Sequence, residues 1–290
     1  MINKVFAYLG ISLLRLLSLF PLPVLYFFAR LAYYLLYYII SYRKKTVISN
    51  LHRAFPEKSS GEIIQVGKRF YRYLADLVFE IIKMHSLSES ELRRRVKFTN
   101  TASLKQWLEN GGSALACTGH YGNWEWATLA MGTEISQRLV AIYKPLNQGQ
   151  FDRYFIDMRS KFGNTLVPMR QTLRALAAYR TESTLFAFAG DQSPAKTDAK
   201  YWVPFFNQPT AALPGIEKIS RQTNRPVFYF TIRRPRRGYY EVDCKELCME
   251  PRQTEDLEIT GMHFASLEKC IKEQPEFWLW SHNRWKHQPE

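Results

Sequence analysis

The length, composition and charge of this chain limit what kind of protein it is. Its 290 residues are enough to bury one substantial core, which predicts a single domain with an N-terminal extension. The content of 46% hydrophobic and 15% aromatic residues excludes a disordered chain. The formal net charge of +14 favours an anionic partner such as nucleic acid, a phospholipid surface or a phosphorylated substrate.

The N-terminal segment from Val5 to Ile40 is almost wholly apolar and aromatic, interrupted by two arginines and by Pro21-Leu22-Pro23. A helix that spans a bilayer needs about 20 uninterrupted apolar residues. The longest uncharged stretch, Leu16 to Ala29, contains both prolines. We therefore predict two helices hinged at the prolines and lying at the membrane surface, followed by the basic sequence SYRKK. The alternative is a pair of core helices in a soluble protein.

The remainder of the chain predicts an α/β catalytic domain over residues 46–290, with residues 1–45 as its membrane anchor. Residues 60–85 carry apolar side chains at helical spacing. From residue 111, the β-rich runs SALACT, RLVAIY, TLFAFA and PVFYFTI alternate with helical segments such as QTLRALAAYR and PGIEKISRQT. This alternation predicts a mainly parallel sheet covered by helices, with GYYEVDC as a strand near its edge.

A histidine follows the first of these strands. In a parallel sheet, ligands bind beyond the carboxyl ends of the strands, where His120 lies. Residues 122–131 then read as a helix with Asn123 and Glu125 in its first turns. The five-residue spacing allows Glu125 to fold back on one imidazole nitrogen while the other faces a cleft, as a general base requires. The alternative is a polar residue in a turn.

The four cysteines, Cys117, Cys244, Cys248 and Cys270, show no paired spacing of a zinc site or a disulfide framework. Cys244 and Cys248 lack a second Cys or His pair, so no structural metal is expected. This usage favours a reducing, cytosolic environment for the catalytic part of the chain.

The segment TGHYGNWEW, residues 118–126, resembles the motif of a histidine and an acid separated by four residues in the lysophospholipid acyltransferase superfamily. Its Gly-Asn-Trp-Glu interior is most similar to the late acyltransferases of bacterial lipid A biosynthesis, the lauroyl and myristoyl transferases. Ser193 stands where this family often has an acid, and Asn207 where it often has glycine. Five further blocks are similar in the same order: NLHRAFPEKSSGE (50–62), MRSKFG (158–163), AGDQS (189–193), VPFFNQPTAALPG (203–215) and the terminal FWLWSHNRWK.

The resemblance implies an acyltransferase, monotopic or single-pass, on the cytoplasmic face of the bacterial inner membrane. His120, oriented by Glu125, is the expected base that activates a hydroxyl of a lipid A precursor. That hydroxyl attacks an acyl thioester, usually on acyl carrier protein, and the reaction needs no metal or cofactor. Another glycolipid, a lysophospholipid or an amino-acid lipid remains an alternative acceptor.

Four further residues are candidates for binding substrate. Arg159 suits an acceptor phosphate or the phosphopantetheine of a carrier, and helps to stabilise the oxyanion together with amides of the 122–131 helix. Asn123 lies at the start of that helix, and Asp191 and Gln192 lie at a strand end. The alternative for each of these residues is an ordinary structural position, with Asp191 and Gln192 satisfying turn amides.

Two basic or aromatic segments have two interpretations each. The sequence RRPRRG at 233–238 suits phosphates or an acidic carrier, or it is a solvated hairpin tip. Arg284 suits anionic headgroups, or the tryptophans around it pack the C-terminal segment onto the core, where His282 is expected to be structural.

Two other classes of protein provide the contrasting hypotheses. A metal-dependent hydrolase uses His120 as a metal ligand. A non-catalytic protein that binds anionic membranes uses only the basic surface. No nucleic-acid-binding module is recognisable in the sequence, so no nucleic-acid partner is expected.

Overall fold

The computed structural model describes residues 2–289, in which five helices precede a region of mixed strands and helices. The helices are α1 (Ile2–Ser18), α2 (Leu22–Tyr34), α3 (Lys44–Ala54), α4 (Ser60–Lys83), α5 (Glu89–Arg95), α6 (Ala102–Glu109), α7 (Trp124–Glu134), α8 (Gly149–Arg159), α9 (Thr172–Ala178), α10 (Gly215–Thr223) and α11 (Glu258–Glu273). The strands are β1 (Val96–Thr99), β2 (Ala114–Thr118), β3 (Arg138–Tyr143), β4 (Thr165–Pro168), β5 (Thr184–Ala189), β6 (Tyr201–Phe205), β7 (Gln208–Ala212), β8 (Val227–Arg236) and β9 (Tyr239–Cys248).

Seven of the strands form one sheet in the order β1-β9-β8-β2-β5-β3-β4. Every neighbouring pair in this sheet is parallel except β8 and β9, which form an antiparallel hairpin. Strands β6 and β7 form a separate antiparallel pair. Helices cover both faces of the sheet, which confirms the predicted α/β class with a mainly parallel sheet.

The sequence pattern located the central strands but missed the short ones. RLVAIY and TLFAFA coincide with β3 and β5, because both are runs of β-branched and aromatic residues. Strands β1 and β4 have only four residues each, and β4, β6 and β7 each contain a proline, which weakens the strand signal.

The predicted hinge in the N-terminal segment is confirmed. Helix α1 ends at Ser18 and α2 begins at Leu22, directly after Pro21. A proline has no N–H to continue a helix and favours the first turn of a new one. Helix α2 continues into a π-helical turn, Leu35–Ile39. Together, Leu22–Ile39 are long and apolar enough to cross a membrane, by length and composition alone.

Helix α2 runs antiparallel along α4. The rings of Phe28 and Phe79 are 6.4 Å apart, the guanidinium of Arg72 lies 5.1 Å from the centre of the Tyr33 ring, and the rings of Tyr37 and Tyr71 are 5.3 Å apart. The N-terminal segment thus shares a hydrophobic core with the sheet domain through Ala29, Tyr33 and Tyr37.

The two faces of α2 have different environments. Leu22, Leu25, Ala29 and Tyr33 follow helical spacing and are buried. On the opposite face, Phe27 is 60% exposed and Leu31 is 51% exposed. The core-helix interpretation therefore describes the inner face of α2, and the apolar outer face is left for another partner.

A buried carboxylate links this N-terminal segment to the rest of the fold. Glu80 on α4 is fully buried and accepts hydrogen bonds from Tyr26 of α2 at 2.7 Å, Tyr240 of β9 at 2.5 Å and Asn123 at 2.8 Å. Burial raises the pKa of Glu80, although Arg234 at 3.7 Å and the three donors favour its charged form. Three donors from distant parts of the chain thus meet one acceptor, which fixes their relative positions.

The RRPRRG segment comprises the end of β8 and the turn of the β8–β9 hairpin. Most of its arginines contact other residues of the protein. Arg234 donates to Asp76 at 2.8 Å, and Arg237 binds the same carboxylate. Arg236 stacks on Tyr239 at 3.7 Å. The segment therefore joins the hairpin to α4, a role that neither interpretation of the sequence included.

Replacing Tyr26 by Phe tests the link between the N-terminal segment and the domain. The change removes the hydroxyl that binds Glu80 but keeps the ring that lies 4.0 Å from the guanidinium of Arg237. We expect the free energy of unfolding in detergent to fall by about 1.5–3 kcal/mol, the range for a hydrogen bond to a charged group. Tyr34→Phe, at an exposed ring, is the matched control and should leave stability unchanged. Equal stability of the Tyr26 and Tyr34 variants contradicts the proposed role of Glu80.

Candidate active site

The sheet order brings two separate segments of the chain together. Strands β2 and β5 are parallel neighbours, with Thr118 paired to Ala189 at their carboxyl ends. The amide of Gly190 donates to the carbonyl of Thr118 at 3.2 Å, so the two segments leave the sheet side by side. His120 lies two residues beyond Thr118, and Asp191 lies two residues beyond Ala189.

The imidazole of His120 is held by Asp191. The distance between His120 Nδ1 and Asp191 Oδ1 is 2.5 Å, and Asp191 Oδ2 accepts from the backbone amide of His120 at 3.0 Å and from Trp278 Nε1 at 2.8 Å. Only 2% of the Asp191 side chain is exposed, compared with 18% for His120. A carboxylate at Nδ1 places the proton there and leaves the Nε2 lone pair to accept another. Nε2 lies 3.3 Å from the side-chain amide nitrogen of Gln192, on the exposed side of the ring.

The charges of this pair reinforce each other. Burial acts to lower the pKa of His120, but the charge of Asp191 and its hydrogen bond act more strongly in the opposite direction. The pKa therefore lies above the ordinary value of 6.5. Burial opposes the ionisation of Asp191, yet the charge of His120 and the donors around the carboxylate hold the pKa of Asp191 well below its usual range. The geometry therefore favours an ionised carboxylate that stabilises an imidazolium.

The carboxylate predicted to orient His120 is a different one from that found in the structure. Glu125 forms a two-pronged ion pair with Arg159, with distances of 2.7 Å to Nε and 2.5 Å to the terminal nitrogen. Within residues 2–289, the only carboxylate in ion-pair range of His120 belongs to Asp191. The reason is local: Glu125 lies in the first turn of α7 and extends toward α8, while β5 delivers Asp191 to the imidazole. Glu125 still acts on the imidazole through its charge, which raises the pKa of His120 further.

Asn123 occupies a structural position, which corrects its assignment as a substrate-binding residue. It is the N-cap of α7, where its side-chain oxygen accepts from the amide of Trp126 at 2.9 Å. Its side-chain nitrogen donates to Glu80, and the residue is fully buried. Both polar ends of Asn123 are thus used to fix the start of the helix that carries Glu125.

The C-terminal block packs against the same site. Asn50 of α3 donates to the carbonyls of Trp280 at 2.9 Å and His282 at 2.8 Å, which joins two of the segments that carry the family resemblance. His282 Nε2 accepts from the amide of Ser193 at 2.8 Å, and burial lowers the pKa of His282 to about 4, which suits a neutral acceptor. Arg284 is 1% exposed and donates to the carbonyl of Ala211 at 2.7 Å. The packing interpretation of this block therefore holds, and Arg284 is not at the surface.

The turn between β6 and β7 explains one departure from the family pattern. Phe206 and Asn207 have φ angles of 51° and 56°. Two successive residues in this left-handed region are typical of the tightest hairpin turns. Glycine adopts that conformation most easily, and asparagine follows it. Asn207 therefore supports the same turn that a glycine would form.

Metal-binding geometry is not found in the described part of the chain. Among residues 2–289, no three His, Cys, Asp or Glu side chains are grouped in a way that could hold a metal ion. The four cysteines are buried and unpaired with one another.

The fold and the site define an α/β protein with a carboxylate-held histidine at the edge of the sheet where such proteins bind their ligands. The sequence pattern of the bacterial lipid A biosynthesis acyltransferases matches residues 1–287. The chain therefore belongs to this family and is an acyltransferase, which confirms the resemblance seen in the sequence.

Two relatives show the same similarity over nearly the whole chain. The chain is 23% identical to the lipid A biosynthesis palmitoleoyltransferase of Escherichia coli (strain K12) over 284 residues, which is 97% of this chain and 90% of that protein. The lipid A biosynthesis acyltransferase of Shigella flexneri is similar to the same extent.

The pH dependence of acyl transfer tests the pairing of His120 with Asp191. A base must be unprotonated, so we expect kcat/KM to fall as the pH decreases through the pKa of His120, with an inflection above 6.5. Asp191→Asn removes the charge that raises this pKa, so the inflection should move to lower pH. The loss of orientation should reduce kcat/KM by about 10²–10⁴-fold.

Asp191→Glu is the control, because it retains the charge and should keep the inflection above that of Asp191→Asn. If the inflection of Asp191→Asn stays at the wild-type pH, Asp191 does not set the pKa of His120.

Proposed function

We propose that this protein transfers a fatty acyl group from an acyl thioester to a hydroxyl of a lipid A precursor, with His120 as general base. The observation that supports this proposal is the imidazole of His120, whose Nδ1 is bound to buried Asp191 and whose Nε2 lies on the exposed side of the ring. The membership of the family supports the class of reaction and the class of acceptor. The acyl donor is proposed to be acyl carrier protein.

In the proposed reaction, the acceptor hydroxyl gives its proton to His120 Nε2 as its oxygen attacks the thioester carbonyl carbon. Asp191 stabilises the resulting imidazolium. When the tetrahedral intermediate collapses, the C–S bond breaks and the imidazolium returns the proton to the thiolate that leaves. Gln192 must move away from Nε2 when the acceptor binds, because its amide occupies the position of the incoming hydroxyl.

The ion pair of Glu125 and Arg159 is proposed to bind and orient the acceptor. Glu125 engages Nε and one terminal nitrogen of the guanidinium. The other terminal nitrogen has no hydrogen-bond partner within residues 2–289, and 24% of the side chain is exposed. A guanidinium fixed by a carboxylate on one side is well suited to bind a phosphate or an oxyanion on the other.

Residues 1–45 are proposed to hold the protein on the cytoplasmic face of the inner membrane, and residues 46–290 to carry out the reaction. The inner face of α2 packs along α4, so this helix is committed to the domain along its length. A helix bound in this way favours a monotopic arrangement, with the exposed Phe27 and Leu31 in the membrane interface. The net charge of +14 suits both an anionic membrane and an acidic carrier protein.

His120→Ala tests the proposed base. Acyl transfer from an acyl carrier protein thioester to a purified lipid A precursor should fall by about 10²–10⁴-fold, the usual contribution of a general base. The variant should keep its fold and its membrane association, because the interior contacts of Asp191 with Trp278 remain. His52→Ala, at an exposed residue of α3, is the matched control and should retain wild-type turnover. Turnover of His120→Ala near the wild-type rate refutes the mechanism.

Arg159→Lys tests the proposed orientation of the acceptor. Lysine keeps the positive charge. Its single ammonium group cannot form two parallel hydrogen bonds with Glu125 and bind an anion at the same time. We expect the KM for the acceptor to rise about tenfold or more, the scale of one hydrogen bond to a charged group, with a smaller change in KM for the acyl donor. Arg138→Lys is the matched control, because it alters a similar ion pair with Glu182 at the surface. It should change neither the KM for the acceptor nor the KM for the donor. If the KM for the donor rises alone, Arg159 binds the carrier and not the acceptor.

A further inference from the structure

The catalytic domain has exposed apolar side chains of its own, away from the N-terminal segment. Leu146 is 46% exposed, Met169 is 51% exposed and Leu173 is 69% exposed. Leu146 follows β3 and Met169 follows β4, the two outermost strands on this side of the sheet. All three residues thus lie where the chain leaves the carboxyl edge of the sheet, the edge that also carries His120.

The segments that carry the three side chains are neighbours at this edge of the sheet. Tyr143 and Pro168 are paired in the β3–β4 register, so the segments that follow them leave the sheet as neighbours. The amide of Leu146 donates to Asp152 at 2.8 Å, which fixes the loop before α8. The hydroxyl of Thr172 donates to the carbonyl of Met169 at 2.8 Å, which fixes the start of α9 beside Leu173. The apolar residues are therefore displayed by ordered turns.

Basic residues surround these apolar side chains. Lys144, Arg170 and Arg174 are exposed, and within residues 2–289 none of them forms an ion pair. We call the six residues Lys144, Leu146, Met169, Arg170, Leu173 and Arg174 the carboxyl-edge rim. Apolar side chains flanked by unpaired cations are typical of surfaces that enter the interface of an anionic membrane.

The apolar surface of α1 lies beside the end of the rim that carries Leu146. Helix α1 packs on α8: a Cβ placed on Gly10 would lie 3.2 Å from the ring of Phe151, and the guanidinium of Arg15 lies 5.9 Å from the centre of the Tyr154 ring. Phe151 lies in the first turn of α8, directly after the loop that carries Leu146. On its outer face, α1 exposes 68% of Phe6 and 60% of Leu9. The membrane-facing surface of the N-terminal segment therefore adjoins the rim.

We propose that the carboxyl-edge rim inserts into the interface of an anionic phospholipid bilayer as a second membrane contact, separate from the N-terminal segment. This inference rests on the proposed function, since it assumes that α1 and α2 already hold the protein at the membrane. Two strand spacings separate the rim from the His120–Asp191 pair, a distance of about 10 Å. The rim thus brings the open side of the catalytic imidazole to the level of lipid headgroups, where a lipid acceptor presents its hydroxyl.

Lipid is a better occupant of the rim than carrier protein. The segment that carries Leu146 leads into α8, on which α1 packs, so a single soluble partner would need to cover the rim and α1 together. An anionic bilayer supplies apolar depth and negative charge over the whole of this surface.

Single labels on full-length protein test this proposal. Leu173→Cys and Leu146→Cys place a thiol on the rim, and all four native cysteines are buried, so an environment-sensitive fluorophore attaches to the new thiol. Ser136→Cys is the matched control, because Ser136 is exposed just before β3, at the opposite edge of the same sheet. Vesicles contain phosphatidylethanolamine with or without phosphatidylglycerol. We expect the labels at 146 and 173 to brighten and shift to the blue with anionic vesicles, and to be quenched by brominated acyl chains, while the label at 136 stays in water.

The charges of the rim provide a second measurement. Arg170→Ser and Arg174→Ser should each weaken the binding to anionic vesicles about fivefold, the effect of one basic residue at such a surface. Neither change should affect binding to uncharged vesicles.

Three outcomes overturn the proposal. In the first, the labels at 146 and 173 remain in water although the protein floats with the vesicles and His120-dependent transfer continues; the proposed function then stands without the rim. In the second, the labels respond to acyl carrier protein and not to vesicles, which assigns the rim to the acyl donor. In the third, the protein does not float with vesicles at all, and the membrane part of the proposed function fails together with the rim.

Discussion

The hydrogen bond between His120 and Asp191 depends on the adjacency of β2 and β5. In chain order, the three helices α7, α8 and α9 and the three strands β3, β4 and β5 separate the two residues, and only the sheet order, which places β2 beside β5, makes them neighbours. A carboxylate buried to 98% of its surface is costly unless donors satisfy it, and here two nitrogens of His120 and the indole of Trp278 do so. The C-terminal segment must therefore pack onto the sheet before the imidazole has a fixed orientation.

The same dependence appears at Glu80, which joins the N-terminal segment to the start of α7. Tyr26, Asn123 and Tyr240 come from three regions of the chain and share one buried acceptor. Asn123 in turn caps the helix that carries Glu125, so α2 and α7 have a common support. The N-terminal segment is for this reason structurally coupled to the candidate active site.

Glu125 shows that a sequence motif does not fix which side chains are in contact. A histidine followed five positions later by a carboxylate suggests a direct contact, and the spacing allows one. Once Asn123 caps α7 at Trp124, the first-turn Glu125 extends toward α8 and meets Arg159, a residue of another block that carries the family resemblance. The imidazole receives its carboxylate from the next strand. The site thus contains two acid–base pairs, His120 with Asp191 and Arg159 with Glu125, where the sequence suggested one.

The sequence by itself determined the class of the fold, the hinge at Pro21, the position of the central strands and the position of His120 just beyond the carboxyl end of a strand. These depend on local patterns: hydrophobic periodicity, proline geometry and a polar turn after a strand. It also singled out Asp191 and Arg159, but as separate binding residues. Only the tertiary structure decided their partners, because strand order cannot be read from the order of residues. The burial of Asn123 and Arg284 and the packing of only one face of α2 were decided at the same level, since burial is a property of the assembled helices and sheet and not of any one segment.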